Sequence, residues 1–231
     1  MRGAGDLEAL SGEIVECRAC PRLVKWREEV ARVKRRAWRE WTYWGRPVPG
    51  FGDPRPGGLY VLGLAPGAHG ANRTGRMFTG DRSGVFLYAG LHRHGLASQA
   101  ESVSRDDGLK LRGAFISNAV RCVPPDNRPE PEEQRRCSPF LDRELELLRP
   151  RVILALGAIA WQSALGALER KGHVLPRPRP AFAHGGLWRA EGGPSVLGCY
   201  HVSQQNTQTG RLTEAMFDAV LERALALRSS P

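Results

Sequence analysis

"GLYVLGLAPGAHGANRTGRMFTGD", Gly58 to Asp81, joins an unbroken apolar run to a loop carrying Gly67, Gly70, Gly75 and Gly80. A short Leu/Val-rich run bounded by Gly and Pro reads as a strand buried on both faces, as strands of parallel sheets are. A glycine-rich turn leaving such a strand lets the backbone approach something closely, so this loop marks a candidate site. It contains neither G-x-x-x-x-G-K-[ST] nor G-x-G-x-x-G, which excludes a Walker-type phosphate cradle and the dinucleotide fingerprint.

Three more runs share this strand character: "GAFISNAVRC" near Gly113 to Cys122, "RVILALG" at Arg151 to Gly157, and "SVLGCYHVS" at Ser195 to Ser203. Helical periodicity separates them in "GVFLYAGLHRHGL", "PEEQRRCSPFLDRELELLR" and "AIAWQSALGALERK", and "LTEAMFDAVLERALALR" closes the chain. Alternation of this kind predicts an α/β layered domain with a largely parallel sheet. A leading segment, Arg22 to Trp41, places Val30, Val33, Ala37 and Trp41 on one helical stripe and Arg32, Arg35, Arg36 and Arg39 on another, a solvated face of a docked helix. "VLPRPRPAF", Val174 to Phe182, reads as an extended surface loop. Ligands of open parallel sheets sit beyond the carboxyl ends of the strands. That rule groups three loops: Ala65 to Asp81, Asn118 to Arg128 and His201 to Gly210.

The 231 residues, 41% of them hydrophobic, suffice for an ordinary core. Lys+Arg at 34 against Asp+Glu at 24 leaves a formal charge of +10, which favours a polyanionic partner such as nucleic acid or an anionic membrane. The excess is arginine, whose planar fork suits phosphate oxygens, the only lysines being Lys25, Lys34, Lys110 and Lys171. The N-terminus has no apolar signal region, and the longest apolar run, Val152 to Trp161, is too short to span a bilayer. A cytoplasmic protein with no membrane partner, acting as a monomer, is expected.

In a reducing compartment, clustered cysteines point to metal before disulfides. "CRAC" supplies Cys17 and Cys20, and "CVPPDNRPEPEEQRRC" supplies Cys122 and Cys137. One C-x2-C pair and two more thiolates complete a tetrahedral set, and the spacing leaves zinc and an iron–sulfur cluster both open. Either would staple the N-terminal segment to the proline-rich loop. Cys199, inside an apolar strand, reads as a core residue.

"GLAPGAHGANRTGRMFTGD", "NAVRCVPPDNRPEPEEQRRC" and "HVSQQNTQTGRLT", together with "CRAC", resemble the motif set of the iron–sulfur uracil-DNA glycosylases, and of their type b, or family 5, branch in particular. The resemblance runs from about Cys17 to the C-terminal helix. It implies a single domain over residues 1–231, an α/β three-layer sandwich with a central, mainly parallel four-stranded sheet flanked by helices, with residues 1–45 docked through the cluster cysteines. It further implies a [4Fe-4S] cluster on Cys17, Cys20, Cys122 and Cys137. The implied partner is DNA containing uracil or other deaminated bases.

By the same resemblance, Phe78 is the ring on which an extruded base stacks, Asn118 reads the uracil edge, and His201 heads the second active-site motif. Gln204, Gln205 and Asn206 would press into the DNA where the base has left. Backbone amides near Gly67 and Ala68 would close around the base, with Arg73 and Arg76 on phosphates. The sister type a enzymes carry an acidic side chain in the first glycine-rich motif, following a "GEAPG" opening, whereas this chain has "GLAPGAHG" and no carboxylate in the loop before Asp81. Asp81 therefore becomes the candidate for stabilising an oxocarbenium-like sugar and orienting water, and His201 for donating to the departing base. No lysine falls in the three loops, so a hydrolytic, monofunctional glycosylase leaving an abasic site is expected. His69 has no assigned role. A noncatalytic, metal-stapled DNA-binding module would leave Asp81, Asn118 and His201 idle, and an enzyme of free nucleotides would need a phosphate cradle that is missing.

Overall fold

A computed structural model describes residues 2–229. Its strands are β1 (Phe51–Gly52), β2 (Leu59–Gly63), β3 (Ala114–Asn118), β4 (Val152–Leu156), β5 (Leu187–Arg189) and β6 (Ser195–Cys199), in one sheet ordered β1-β3-β2-β4-β6-β5. The four apolar runs form the parallel centre, in a register that pairs Gly63 with Asn118, Leu59 with Val152 and Leu156 with Cys199. The expected four-stranded sheet is corrected to a mixed sheet of six, because β1 and β5 add antiparallel edges. Strands of two and three residues among Gly and Pro carry too little alternation to be read from sequence.

The helices are α1 (Arg2–Glu16), α2 (Pro21–Val33), α3 (Ala71–Thr74), α4 (Arg82–Arg93), α5 (Pro131–Leu148), α6 (Ala158–Arg170), α7 (Gln204–Gln208) and α8 (Glu214–Ser229). Strand alternation sorts the core into two layers. Leu59, Val61, Ile116 and Leu154 face Leu87 and Leu91 of α4 and Phe217 and Leu221 of α8. Tyr60, Leu62, Ile153 and Ala155 face Leu141 and Leu145 of α5 and Trp161 and Leu165 of α6. With both faces covered, every residue of β2, β3 and β4 is buried, which is why these strands are uniformly apolar. The chain runs from β2 through α4 to β3, then recrosses through α5 to β4. The helices after β2 and β3 therefore lie on opposite faces, and a crevice opens beyond the carboxyl ends of these strands.

The leading segment departs from expectation. It is not one helix to Trp41: α2 ends at Val33, Lys34 turns to φ 57, ψ 171, and a 3-10 turn spans Arg36–Trp38. Val33 is left 63% exposed, so the stripe that included it is not a docking face. Trp38 and Trp41 are instead drawn to the guanidinium of Arg73, 4.0 and 4.1 Å from the two ring centroids.

A buried charge network ties the strand layer to α5. Arg121 Nη2 donates to Glu144 Oε2 at 2.7 Å, both side chains being almost wholly buried, and the Tyr60 hydroxyl donates to the same oxygen. Removing one partner of such a pair leaves an uncompensated charge in low dielectric. Glu144→Leu should therefore destabilise the fold by about 3–5 kcal/mol in urea unfolding; an unchanged midpoint would show that the pair bears no such load.

Candidate active site

The crevice holds a cleft of about 430 Å³ whose wall includes Gly67, Phe78, Asp81, Asn118, His201, Gln205 and Asn206. The three loops grouped from the sequence thus converge on one hollow. Ala68 and Gln204 do not line it. Gln204 instead opens α7, where Nε2 donates to Gln208 Oε1 at 3.1 Å.

Asp81 is the N-cap of α4, with Oδ1 accepting from Gly84 N at 2.9 Å. Its other oxygen lies against the glycine loop: a Cβ at Gly70 would overlap Oδ2, and one at Gly67 would come within 2.9 Å of it. Gly67 and Gly70 are thus positions where the absence of a side chain makes room for the carboxylate, and Gly67 also lines the cleft. Burial raises the Asp81 pKa, while the amides of Gly84 and Ser83 and the charge of Arg73 pull it back.

Phe78 sits in the left-handed region at φ 51, a conformation that costs a non-glycine residue and that clusters at functional sites. Its ring lies 6.3 Å from that of His201 at 37°. Asn118 ends β3, and its neighbour in register is Gly63, where any side chain would strike Asn118 Oδ1 and the Phe78 ring. Asn118 Nδ2 faces Met77 Sδ at 2.9 Å, a weak acceptor, and Oδ1 is buried with no partner. An unsatisfied acceptor in a cleft wall is poised for a ligand N–H.

His201 follows β6. Burial drives its pKa down to about 4, so the imidazole is neutral near pH 7. Asn206 Nδ2 donates to His201 O at 2.8 Å, and Ser203 Oγ accepts from Asn206 N, which folds the following residues into α7. Sequence reasoning missed Ser83, Asp126 and Asn127, which also line the cleft. Asp126 and Asn127 have φ of 52 and 56, a left-handed step for which Asp and Asn are suited. The "PPDNR" turn was the available signal.

Arg73 and Arg76, expected on DNA phosphates, turn inward, and that assignment is corrected. Arg76 is 3% exposed, paired with Asp107 at 2.6 Å and donating to Ser102 Oγ and Thr79 Oγ1. Arg73 is 2% exposed and donates to the carbonyls of His69 and Gly80.

Away from the cleft, Cys17, Cys20, Cys122 and Cys137 line a common cavity with Leu23 and Val120. Arg27 Nη1 donates to Cys122 Sγ at 2.9 Å and Arg121 N to Cys137 Sγ at 3.3 Å. Among the described residues, no three His, Cys, Asp or Glu side chains are grouped so as to hold a metal ion. Cys199 is fully buried in the sheet core, separate from these four.

Residues 49–225 match the family model of the uracil DNA glycosylase superfamily. The chain belongs to that superfamily. It is 54% identical over 227 residues to a type-5 uracil-DNA glycosylase of Mycobacterium tuberculosis, covering 97% of this chain and 83% of that one. It is 52% identical to a type-5 uracil-DNA glycosylase of Mycobacterium leprae, covering 97% of each chain. A type-5 uracil-DNA glycosylase of Thermus thermophilus is 51% identical over 223 residues, covering 96% of this chain and 98% of that one. Among the described residues no helix is long and apolar enough to cross a membrane.

The depressed His201 pKa has a thermodynamic consequence. An unfolded histidine titrates near 6.5, so between about pH 6.5 and 4 the unfolded chain holds a proton that the folded chain does not. Folding stability should fall as pH drops through that window, and His201→Gln should remove that component. Thermal unfolding of the two proteins at pH 7 and pH 4 measures it; equal losses would mean that His201 is not buried as a neutral ring.

Proposed function

We propose that this protein is a monofunctional DNA glycosylase that flips uracil out of DNA and releases it by hydrolysis, leaving an abasic site for base excision repair. The observation that carries this reading is the single cleft joining Phe78, Asn118, Asp81 and His201. Family membership and the type-5 names of the relatives support it.

A base within a duplex is inaccessible, so the nucleotide leaves the stack and its ring lies on Phe78. Asn118 Oδ1, unpartnered in its wall, accepts the N3–H of uracil, and the amide group donates to the adjacent carbonyl. As the C1′–N1 bond lengthens, its electron pair passes to the uracil ring and positive charge gathers on the sugar. The neutral His201 imidazole donates a hydrogen bond to the anionic base. The Asp81 carboxylate stabilises the sugar cation and orients a water. The water oxygen bonds to C1′ and its proton passes to Asp81, giving the abasic site and the uracil anion; Asp81 then loses the proton to solvent and the released base takes one up, which regenerates the carboxylate and yields free uracil. Cytosine carries an amino group and no N3–H, so the donor pattern at its edge is reversed and Asn118 discriminates against it. Other deaminated bases that present an imide-like N–H meet the same amide, which supports a range wider than uracil. A noncatalytic module would leave a strained Phe78 and an unsatisfied Asn118 without purpose.

The four thiols fit an iron–sulfur cluster on two counts. They surround one cavity, and two N–H donors reach their sulfurs, as thiolate ligands require. Cys17, Cys20, Cys122 and Cys137 would hold it. When bound, such a cluster joins the segment before α2 to the start of the proline-rich turn and to α5, and no part of base release is assigned to it.

Two measurements test these assignments. Asp81→Asn keeps size and removes charge, so single-turnover uracil release from an oligonucleotide should fall about 10²–10⁴-fold while affinity for abasic DNA holds; near-normal release would remove Asp81 from the chemistry. The purified protein should be yellow-brown and contain iron and sulfide, and Cys137→Ala should lose both while Cys199→Ala keeps them. Zinc alone in the wild-type protein would overturn the cluster.

A further inference from the structure

Beside Asp81 lies a buried cation with no evident partner for its charge. Arg73 belongs to α3, is 2% exposed and makes no ion pair with a carboxylate among the described residues, although a buried guanidinium ordinarily has an acidic partner. Its Nη1 has no hydrogen-bond partner. Its remaining donors have a specific arrangement. Nε donates to His69 O and Nη2 to Gly80 O, each at 2.8 Å. The residues that follow those two carbonyls are Gly70 and Asp81, the pair in which the glycine makes room for the carboxylate. One planar fork thus fixes the distance between the two sides of the loop at the point where the carboxylate is seated.

The fork itself is held from outside. Trp38 and Trp41, 85° apart, form a corner over the guanidinium at 4.0 and 4.1 Å. Both rings come from the segment after α2, and Trp44 N and Gly45 N bind the carbonyls of Arg73 and Asn72. Gly80 admits the fork, since a Cβ there would collide with Arg73 Nη2. We propose that Arg73 is a positioning residue for Asp81, which sets the loop width with its fork and favours the carboxylate anion with its unneutralised charge, while Trp38 and Trp41 exclude the water that would screen that charge.

The groups bearing on Asp81 are few. Arg73 and the amides of Ser83 and Gly84 favour its anion, and burial opposes it. The other titratable side chains in the cleft wall are Asp126, from the turn after β3, and His201, which is neutral above about pH 4. On the far side of Arg73 lie Tyr43 and His69, which hydrogen-bond each other at 3.1 Å, and Arg35 bears on His69. Arg73 is thus the cation whose charge opposes the effect of burial on Asp81, whose chain neighbour Arg82 opens α4.

The experiment is a carboxyl ¹³C NMR titration of Asp81 in the full-length protein, beside the pH profile of single-turnover uracil release. Arg73→Met should raise the Asp81 pKa and move the acid limb of the rate profile upward with it. Arg73→Lys keeps the charge but not the fork, so it should hold the acid limb near its wild-type position while the plateau rate falls about tenfold. Should Arg73→Met fail to fold, Trp41→Ala admits water to the same charge and should shift the titration in the same direction by less. An Asp81 titration unmoved in every folded variant overturns the proposal. The Asp81→Asn assay separates this from the catalytic reading: if that variant stays active while Arg73→Met still shifts the titration, Arg73 positions Asp81 but Asp81 does not catalyse.

Discussion

The carboxylate of Asp81 is gripped from two sides, and the rest of the site is arranged around that grip. One oxygen closes the first turn of α4 through Gly84 N, and the other occupies the space that side chains at Gly67 and Gly70 would fill. A helix start and a glycine loop are therefore one construction, with the ionisable group at its centre. Burial raises the pKa of that group, and the backbone amides of Gly84 and Ser83 and the Arg73 guanidinium oppose the rise. A carboxylate partly desolvated and partly compensated is suited to stabilise a cation that appears only in the transition state.

The same loop is tied to the four-thiol cavity by a short chain of polar contacts. Arg27, deep in α2, donates to Cys17 O and to Cys122 Sγ, and its own carbonyl accepts from Asn72 Nδ2 at 3.2 Å. Asn72 adjoins Arg73. Arg22 reaches Glu133 at the start of α5, and Arg136 of that helix reaches Ala19 O between the first two cysteines. Residues with little apolar content of their own are thus ordered by hydrogen bonds between charged side chains and backbone. The N-terminal region bears on the cleft through this route and through the tryptophan corner on Arg73.

Arginine abundance shows how a bulk property misleads when assigned to particular residues. The net charge of +10 favours a polyanionic partner, yet Arg27, Arg73, Arg76 and Arg121 are all within 3% of full burial. Each serves carbonyls, thiols or carboxylates inside the fold. A guanidinium has five donors and cannot shed its proton, so it can satisfy several buried acceptors at once. Nothing in the spacing of "ANRTGR" separates that role from phosphate contact.

Legible in the sequence were the four central strands, the long helices from α4 onward and the grouping of three loops, which rest on unbroken apolar runs, helical period and the rule that a parallel sheet puts its ligands at its strand ends; the roles of Asp81, Asn118 and His201 came from the family motifs. The sequence could not supply β1 and β5, which are too short to show a pattern, nor the break at Lys34, where the pull of Arg73 on Trp38 and Trp41 overrides a helical stripe. Only the tertiary structure decided which way Arg73 and Arg76 point, that the glycines make room for Asp81, and that Asp126 and Asn127 enter the cleft. Those outcomes depend on distances between residues far apart in the chain or on backbone angles within a loop. Neither is fixed by the identity of a residue and its immediate neighbours.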